Sequence, residues 1–245
     1  MRKVEEHAQL CEAREQRPAE PFGYEVATAD LFWELGLRMA GLTWNRRNPF
    51  ADGAADEGGL SRLGRALLAR FAELGVILDL AHASPRLFDE CLATYQGRIC
   101  VTHAGCRAVN ETPRNLTDEQ LRALAARDGV FGLMLHPLTI DPVTPTIGRV
   151  VDHLEHAAAV IGPDLLCLGG DWTKRLHELM PAPAPPDGLM PPELAEGATI
   201  GGLAGPEDYP ALVGVLRQRG WEGEQLDGLL SANLLRFLRE SLPLS

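Results

Sequence analysis

The sequence predicts an α/β fold of the (β/α)8 TIM-barrel type in which the first strands are missing. Short apolar runs alternate with amphipathic, helix-like segments along the chain, which is typical of a parallel sheet or a (β/α) barrel. Polar residues stand at the C-terminal ends of three different runs, and this arrangement favours a barrel rim over the single crevice of an open sheet. Five strand-like runs are clear, whereas a closed barrel of this class has eight. We therefore expect an incomplete barrel.

Five apolar runs are predicted to form parallel strands, because each is compact and rich in Val, Ile and Leu. They cover residues 38–44, 76–82, 99–103, 130–136 and 165–171. The amphipathic segments between them predict helices over residues 59–74, 85–95, 117–127 and 147–161. Thr117 and Gln120 predict a capping box at the start of the third of these helices.

The whole chain, residues 1–245, is interpreted as a single partial barrel domain. Residues 1–20 are a divergent N-terminal segment, charged and without an apolar run behind its basic residues, which argues against a secretory signal. Residues 180–192 are rich in proline and predict a loop. From Gly205 onward the pattern predicts two helices, with Trp221 between them and an amphipathic end over residues 226–238.

Composition excludes several classes of protein. There are 34 acidic and 23 basic residues, a net charge of −11, which disfavours binding to nucleic acid or to an acidic membrane surface. No run approaches the roughly 18 apolar residues that cross a bilayer. The five cysteines contain no CxxC pair, which predicts reduced, mostly buried thiols in a cytoplasmic protein rather than a disulfide framework.

Three polar residues at strand ends are the candidates for chemistry. His82 closes the run ILDLAH, His103 lies in ICVTHAG, and Asp171 ends LCLGGD. Catalytic zinc is bound by imidazole and carboxylate and keeps one position open for water, and two imidazoles on neighbouring strands could converge on one ion. The alternative is that both histidines are ordinary core or loop residues with satisfied hydrogen bonds. Spacing alone leaves the two interpretations open.

An ordered set of motifs resembles a known family. These motifs are GLRMAGLTWNRRNPFADG (36–53), DEGGLSRLGR (56–65), GVILDLAHAS (75–84), VTHAGCRAV (101–109), TPRNLTDEQLRALAARDGVFGL (112–133), LGGDW (168–172) and ANLLRFL (232–238). Together they are similar to the consecutive signatures of the membrane (renal) dipeptidases, zinc peptidase family M19. The similarity runs from about Glu20 to the C-terminus.

The resemblance implies a TIM-barrel metallohydrolase with a two-zinc site that hydrolyses dipeptides and tolerates a D-residue on the C-terminal side. It implies that His82 and His103 hold the second zinc and that Asp171 is the general acid and base. Arg114 would contact the substrate carboxylate, which a guanidinium fork can bond at both oxygens. Two alternatives stay open: Arg114 could cap the helix that follows it, and Asp171 could bond backbone amides in its own turn.

The zinc ligands are where the chain departs from the family. The H-x-D pair that ligates the first zinc in the family has no counterpart, and Arg17 and Pro18 stand where the bridging glutamate and its glycine are expected. A positive charge there would repel metal ions. We therefore expect at most one zinc and little or no hydrolysis. Glu20 is a candidate replacement ligand, although Pro21 restricts its backbone.

Two further residues are candidates for substrate contact. Trp44 stands where some relatives have histidine, and His136 stands where an aromatic hydroxyl is common in the family.

The pair His153 and His156 is three residues apart on one predicted helix, a spacing that brings side chains together. Barrel helices face outward, so we expect this pair in the outer layer rather than in a metal site.

Three hypotheses for function follow. The first is a dipeptidase-like zinc metallopeptidase acting on a dipeptide or small amide. The second is a catalytically inactive family member that binds a peptide or a protein partner, and the third is a piece of a longer dipeptidase gene. No nucleic-acid or membrane partner is expected. Missing strands would expose backbone donors and an apolar flank, which predicts a homo-oligomer.

Overall fold

A computed structural model of the protein describes residues 22–172 and 198–242. The strands in these residues form one parallel sheet of five strands in sequential order. They are β1 (Met39–Ala40), β2 (Ile77–Asp79), β3 (Ile99–Ala104), β4 (Val130–Met134) and β5 (Leu166–Gly169). The sequential parallel order confirms the predicted α/β fold and is consistent with an incomplete barrel. The predicted N-terminal segment (1–20) and proline-rich loop (180–192) lie outside the described residues.

The helices alternate with the strands in the first part of the chain and follow one another in the last. They are α1 (Thr28–Glu34), α2 (Arg62–Leu74), α3 (Pro85–Thr94), α4 (Asp118–Ala125), α5 (Pro137–Ile140), α6 (Ile147–Ile161), α7 (Tyr209–Gln218), α8 (Gly223–Asp227) and α9 (Asn233–Ser241). The capping box of Thr117 and Gln120 is confirmed at the start of α4. Ser61 caps α2 by accepting a hydrogen bond from the amide of Gly64, so this helix begins later than the pattern predicted.

Four of the five strands end earlier than predicted, and for β1 and β2 polar side chains explain the difference. After Ala40 the chain enters a turn in which Asn48 Nδ2 donates to the carbonyl of Leu42 at 2.7 Å. β2 ends at Asp79, whose Oδ1 accepts from the amide of Ala81 at 3.1 Å. A side chain that bonds its own backbone two residues on forms a turn. His82 therefore lies in the loop after β2 and not in the strand itself.

The two faces of the sheet carry different layers, because successive strand residues point to opposite faces. The residues on one face join the large core: Leu78, Val101, Phe131 and Leu166. The residues on the other face form a smaller cluster around Phe237 of α9: Ile77, Cys100, Val130 and Cys167. Asp79 and Thr102 follow Ile77 and Cys100 by two residues, and they continue this second face towards the C-terminal ends of the strands.

Two glycines allow the last strands to approach β3 closely. A Cβ atom at either Gly132 or Gly169 would overlap the backbone carbonyl oxygen of Thr102. Thr102 immediately precedes His103, so these glycines keep space around the strand end that carries the histidine. Side chains at these positions would push β4 and β5 away from it.

The C-terminal region packs against the end of the sheet. Trp221 lies buried between α7 and α8, as predicted. The predicted amphipathic end (226–238) is divided by a π-helical turn at Gly228–Ala232, and α9 begins at Asn233. Asn233 Nδ2 donates to the carbonyls of Pro163 and Leu166, each at 2.9 Å. These bonds tie the last helix to β5.

The helices and the cysteines of the described part of the chain bear on the expectations drawn from composition. Its helices include none with the length and apolar character needed to cross a membrane. Its cysteines are Cys91, Cys100, Cys106 and Cys167, and all four are buried free thiols. Burial raises the pKa of the Cys91 thiol to about 12, which is typical of inert structural cysteines.

Candidate active site at the strand ends

Two histidines meet at the C-terminal end of the sheet. β2 and β3 pair in register, with Asp79 opposite Cys100, so the loop after β2 reaches the end of β3. The Nε2 atoms of His82 and His103 lie 2.8 Å apart. Their ring centroids are 4.8 Å apart in an edge-to-face arrangement. The structure therefore brings together two histidines that are 21 residues apart in sequence.

Each imidazole is held at its other nitrogen. His82 Nδ1 lies 2.8 Å from Oδ1 of Asn45, and His103 Nδ1 lies 2.8 Å from Oγ1 of Thr102. Thr102 Oγ1 in turn lies 2.6 Å from Oδ2 of Asp79. Ligating histidines commonly donate their second ring N–H to such partners, which orient the ring.

The surroundings favour the neutral form of both imidazoles. Burial lowers the pKa of His82 far below its usual range, and the positive charge of Arg114 lowers it further. Burial also lowers the pKa of His103, although the carboxylates of Asp171 and Asp79 act in the opposite direction. A neutral imidazole is the form that binds a metal ion.

Arg114 is a buried cation beside the histidine pair. The residue is 3 % exposed; its guanidinium donates to the carbonyl oxygen of Ala81, and its Nη2 atom lies 3.3 Å from His82 Nε2. Burial lowers the pKa of Arg114 to about 10, against the effect of the Asp171 and Asp79 carboxylates, so it stays charged at neutral pH. The capping alternative does not hold, because Thr117 caps the following helix.

The other three candidates are Trp44, Asp171 and His136. The Trp44 ring is 6.0 Å from that of His82. Asp171 follows β5 with a positive φ of 50°, is exposed, and affects the pKa of both His103 and Arg114. His136 is the N-cap of α5, where its Nδ1 accepts from the amide of Leu138 at 3.2 Å.

The second histidine pair does not form a common face. His153 is fully buried; its Nδ1 accepts from the amide of Cys106, and its Nε2 lies 3.0 Å from the carbonyl of Ile140. His156 instead contacts Asp118 through Nε2 at 2.7 Å. Both ring nitrogens of His153 are occupied by the protein itself, so this residue is a structural histidine between α6 and its neighbours.

The donor set fits part of a zinc site. Two nitrogen ligands on tetrahedral zinc lie roughly 3.3 Å apart when each bond is about 2.0 Å, which is close to the separation of the two Nε2 atoms. In residues 22–172 and 198–242 no group of three or more His, Cys, Asp or Glu residues could hold a metal ion. The described residues therefore fit two ligand positions of one zinc, and they do not fit a two-zinc centre.

Sequence reasoning missed three residues of this site: Asn45, Asp79 and Thr102. A signal existed for Asp79, since it is the one charged residue in the apolar run VILDLA and a charge is rarely buried without a partner. Thr102 and Asn45 carry no comparable signal. Their roles depend on which loops and strands meet, and Asn45 is 37 residues from His82 in sequence.

Comparison with known proteins connects this geometry to a family. The family described as "Membrane dipeptidase (Peptidase family M19)" matches residues 16–180. Among curated proteins, the chain is 29% identical over 210 residues to dipeptidase verJ of Clonostachys rogersoniana, covering 84% of this chain and 49% of that protein. It is 28% identical over 224 residues to mouse dipeptidase 3, covering 88% and 41%. An uncharacterized dipeptidase of Schizosaccharomyces pombe is 32% identical over 213 residues, covering 84% and 47%.

Solved structures give the same relationship. A Rhodobacter sphaeroides metallo peptidase, liganded with a phosphinate mimic of the dipeptide L-Ala-D-Ala, superposes with a TM-score of 0.73 at 26% identity, covering 88% of this chain and 59% of that one. A family M19 metallo peptidase, dipeptidase AC, gives a TM-score of 0.73 at 25% identity, covering 87% and 59%. The chain thus spans about half the length, or less, of these three curated relatives.

Proposed function

The chain belongs to the membrane dipeptidase family, peptidase family M19, and from that premise we propose that it carries one side of a metal-dependent dipeptidase site. It binds at most one zinc ion, between His82 and His103, and by itself hydrolyses dipeptides poorly. The observation that carries this proposal is the 2.8 Å approach of the two Nε2 atoms next to the buried guanidinium of Arg114. Imidazole ligands and an anion-binding cation together suit a substrate with a free carboxylate.

Substrate binding is assigned to Arg114, with Trp44 and His136 as further contacts. A buried guanidinium forms strong, bidentate bonds to a carboxylate, because both groups are planar and oppositely charged. The terminal carboxylate of a dipeptide is the group that fits. Trp44, at 6.0 Å from the His82 ring, would cover an apolar part of the substrate.

Proton transfer is assigned to Asp171. Its carboxylate is exposed at the same rim and lies close enough to influence His103 and Arg114. It would accept a proton from the attacking water and deliver one to the leaving amine as the peptide C–N bond breaks. A zinc ion, when bound, would supply a Lewis acid and lower the pKa of bound water.

Poor hydrolysis follows from coordination and charge. A catalytic zinc needs about three protein ligands, and the described residues bring only two imidazoles together. The positive charge of Arg114, 3.3 Å from His82 Nε2, opposes a second cation nearby. A weakly held ion with several bound waters is a poor catalyst compared with a dry, closed site.

A second candidate function is peptide binding without catalysis. The contact of Arg114 with His82 Nε2 favours it, because a guanidinium at the lone pair competes with a metal ion for the same atom. In this case a peptide with a free carboxylate would bind to Arg114 in the absence of zinc. Dependence of peptide binding on zinc separates the two candidates.

The test is hydrolysis of a panel of L,L and L,D dipeptides, with and without added zinc, by the wild-type chain, by His103→Ala and by His156→Ala. The last variant is a matched control, since His156 bonds Asp118 outside the site. We expect slow hydrolysis that depends on zinc, is abolished by His103→Ala and is retained by His156→Ala. Equal rates in both variants would overturn the assignment of the histidine pair.

The proposal also covers the location of the protein in the cell and its oligomeric state. The buried free thiols Cys91, Cys100, Cys106 and Cys167 support a cytoplasmic location, where thiols stay reduced. In the described sheet β1 and β5 each pair with a strand on one side. Strands with an open edge tend to associate, and this supports a homo-oligomer.

A further inference from the structure

Asp79 forms a chain of hydrogen bonds that ends on His103. Its Oδ1 accepts from the backbone amides of Ala81 and Thr102, at 3.1 and 3.0 Å. Its Oδ2 accepts a hydrogen bond from the Thr102 hydroxyl at 2.6 Å. The same hydroxyl oxygen lies 2.8 Å from Nδ1 of His103. Asp79 therefore influences His103 through Thr102 without touching the imidazole.

The direction of these bonds follows from the number of protons. A carboxylate has no proton to donate, so the hydroxyl of Thr102 donates its single proton to Asp79. The Thr102 oxygen can then only accept from the ring, and Nδ1 of His103 must carry the proton. Because a neutral imidazole carries one proton, Nε2 of His103 is left with a lone pair.

The partner histidine is held in the same way. Nδ1 of His82 lies 2.8 Å from the side-chain oxygen of Asn45, and an amide oxygen can only accept. Nε2 of His82 then also carries a lone pair and no proton. The two lone pairs face each other across 2.8 Å, an arrangement that repels unless a cation lies between or beside them.

We propose that Asp79 and Thr102 are positioning residues that hold His103 in the tautomer with its proton on Nδ1 and so direct its Nε2 lone pair towards a metal ion. The inference rests on the proposed metal-binding role of the histidine pair. Asp79 also ties β2 to β3 through the amide of Thr102, which is a structural role. The two roles use different oxygens, and substitutions can separate them.

Asp79→Asn is the most informative variant, because it keeps the shape and reverses the direction of the bonds. The amide oxygen can still accept from the backbone amides of Ala81 and Thr102. The amide nitrogen would donate to the Thr102 hydroxyl, which would then donate to Nδ1 of His103. We expect the proton of His103 to move to Nε2, where it blocks the metal ligand.

The measurement is the imidazole 15N spectrum of the metal-free, histidine-labelled chain at a pH where the rings are neutral, followed by a zinc titration of the same samples. We expect His103 to be protonated on Nδ1 in the wild type and on Nε2 in Asp79→Asn, with zinc affinity reduced about 10-fold to 100-fold. Thr102→Val should lose the fixed Nδ1 proton and a similar part of the affinity. Thr102→Ser, which keeps the hydroxyl, should retain both the fixed Nδ1 proton and the zinc affinity of the wild type.

Asp118→Asn is the matched control, because Asp118 also contacts a histidine, His156, at 2.7 Å but lies outside the site. It should change neither the His103 spectrum nor zinc affinity. If His103 keeps its Nδ1 proton in both Asp79→Asn and Thr102→Val, the inference is overturned. If Asp79→Asn does not fold, the Thr102→Val and Thr102→Ser pair carries the same test.

The failure of this inference differs from failure of the proposed function. A wild-type chain that shows the expected tautomers and their reversal but binds no zinc would support the positioning role and contradict the metal-binding role. A chain that binds zinc through His103, but whose His103 tautomer is unchanged in the variants, would support the metal-binding role and contradict the positioning role.

Discussion

The Nε2 atoms of His82 and His103 lie 2.8 Å apart at the ends of two paired parallel strands. Asp79 links the two strands by bonding Thr102, the residue before His103. Its other bond, from the amide of Ala81, turns the chain towards His82. One carboxylate therefore orders the segments that carry both histidines.

Arg114 is predicted to select peptides with a free terminal carboxylate. In the wild type, a dipeptide acid should bind about 30-fold to 150-fold more tightly than the same dipeptide with an amidated C-terminus, since a buried charge-assisted bond contributes roughly 2–3 kcal/mol. Arg114→Met should remove this preference. Isothermal titration of both ligands measures the effect, with Arg122→Met as a control that should keep the preference, since Arg122 lies exposed on α4 beside Asp118. A preference unchanged in Arg114→Met would contradict the assignment.

Gly132 and Gly169 are predicted to be essential for the packing of β4 and β5 around Thr102. Gly132→Ala or Gly169→Ala should destabilise the fold by about 1–3 kcal/mol, the usual cost of overpacking, because each added Cβ meets the Thr102 carbonyl. Gly214→Ala is the control: it lies in α7 with open space around it, and alanine there should stabilise by about 0.5–1 kcal/mol. Urea unfolding of the three variants checks the order, and three equal midpoints would contradict it.

Buried neutral histidines are predicted to make the fold sensitive to acid. Burial lowers the pKa of His153 to about 4, below the value of roughly 6.5 for an unfolded chain. Between these values the unfolded chain binds the proton more readily, so the free energy of unfolding falls as pH falls from 6.5 to 4 and is constant above. The loss from His153 is about 3 kcal/mol, and His82 acts in the same direction.

His153→Gln tests this contribution, because glutamine can keep a donor for the Ile140 carbonyl and an acceptor for the Cys106 amide. We expect the slope of unfolding free energy against pH, measured by urea unfolding from pH 7.5 to 4.5, to decrease by roughly one proton. Wild type and variant with identical slopes would show that His153 takes up its proton as easily in the folded state as in the unfolded one.

Self-association is predicted from the sheet edges. β1 and β5 each pair on one side among the described strands, and Leu31 and Leu35 of the α1 region are 59% and 73% exposed. Sedimentation velocity over a range of concentrations should detect dimers or larger species. A single monomer peak at the highest concentrations would contradict the homo-oligomer.

The elements of the fold were largely predictable because they depend on local patterns. Apolar runs and caps such as Thr117 identify strands and helices from neighbouring residues alone. Strand ends were less predictable: β2 stops at Asp79 because a side chain bonds the backbone two residues on. The π-helical turn before Asn233 was missed as well, since the bonds of that residue reach Pro163 and Leu166.

The site was predictable only in part. His82, His103 and Asp171 were identifiable from their position at strand ends. The contact of Arg114 with the Ala81 carbonyl, 33 residues away, depends on how a loop folds over the rim. Likewise, Asp79 contacts Thr102 only because β2 and β3 pair in one register, which sequence spacing does not reveal.

The stoichiometry of zinc binding is the most direct test of whether His82 and His103 hold a single zinc ion. The purified chain is dialysed against a weak chelator, titrated with zinc, and analysed for metal content, together with His103→Ala and His156→Ala. We expect no more than one zinc per chain, lost in His103→Ala and retained in His156→Ala. Two zinc ions per chain, with rapid dipeptide hydrolysis that His103→Ala abolishes, would contradict this expectation.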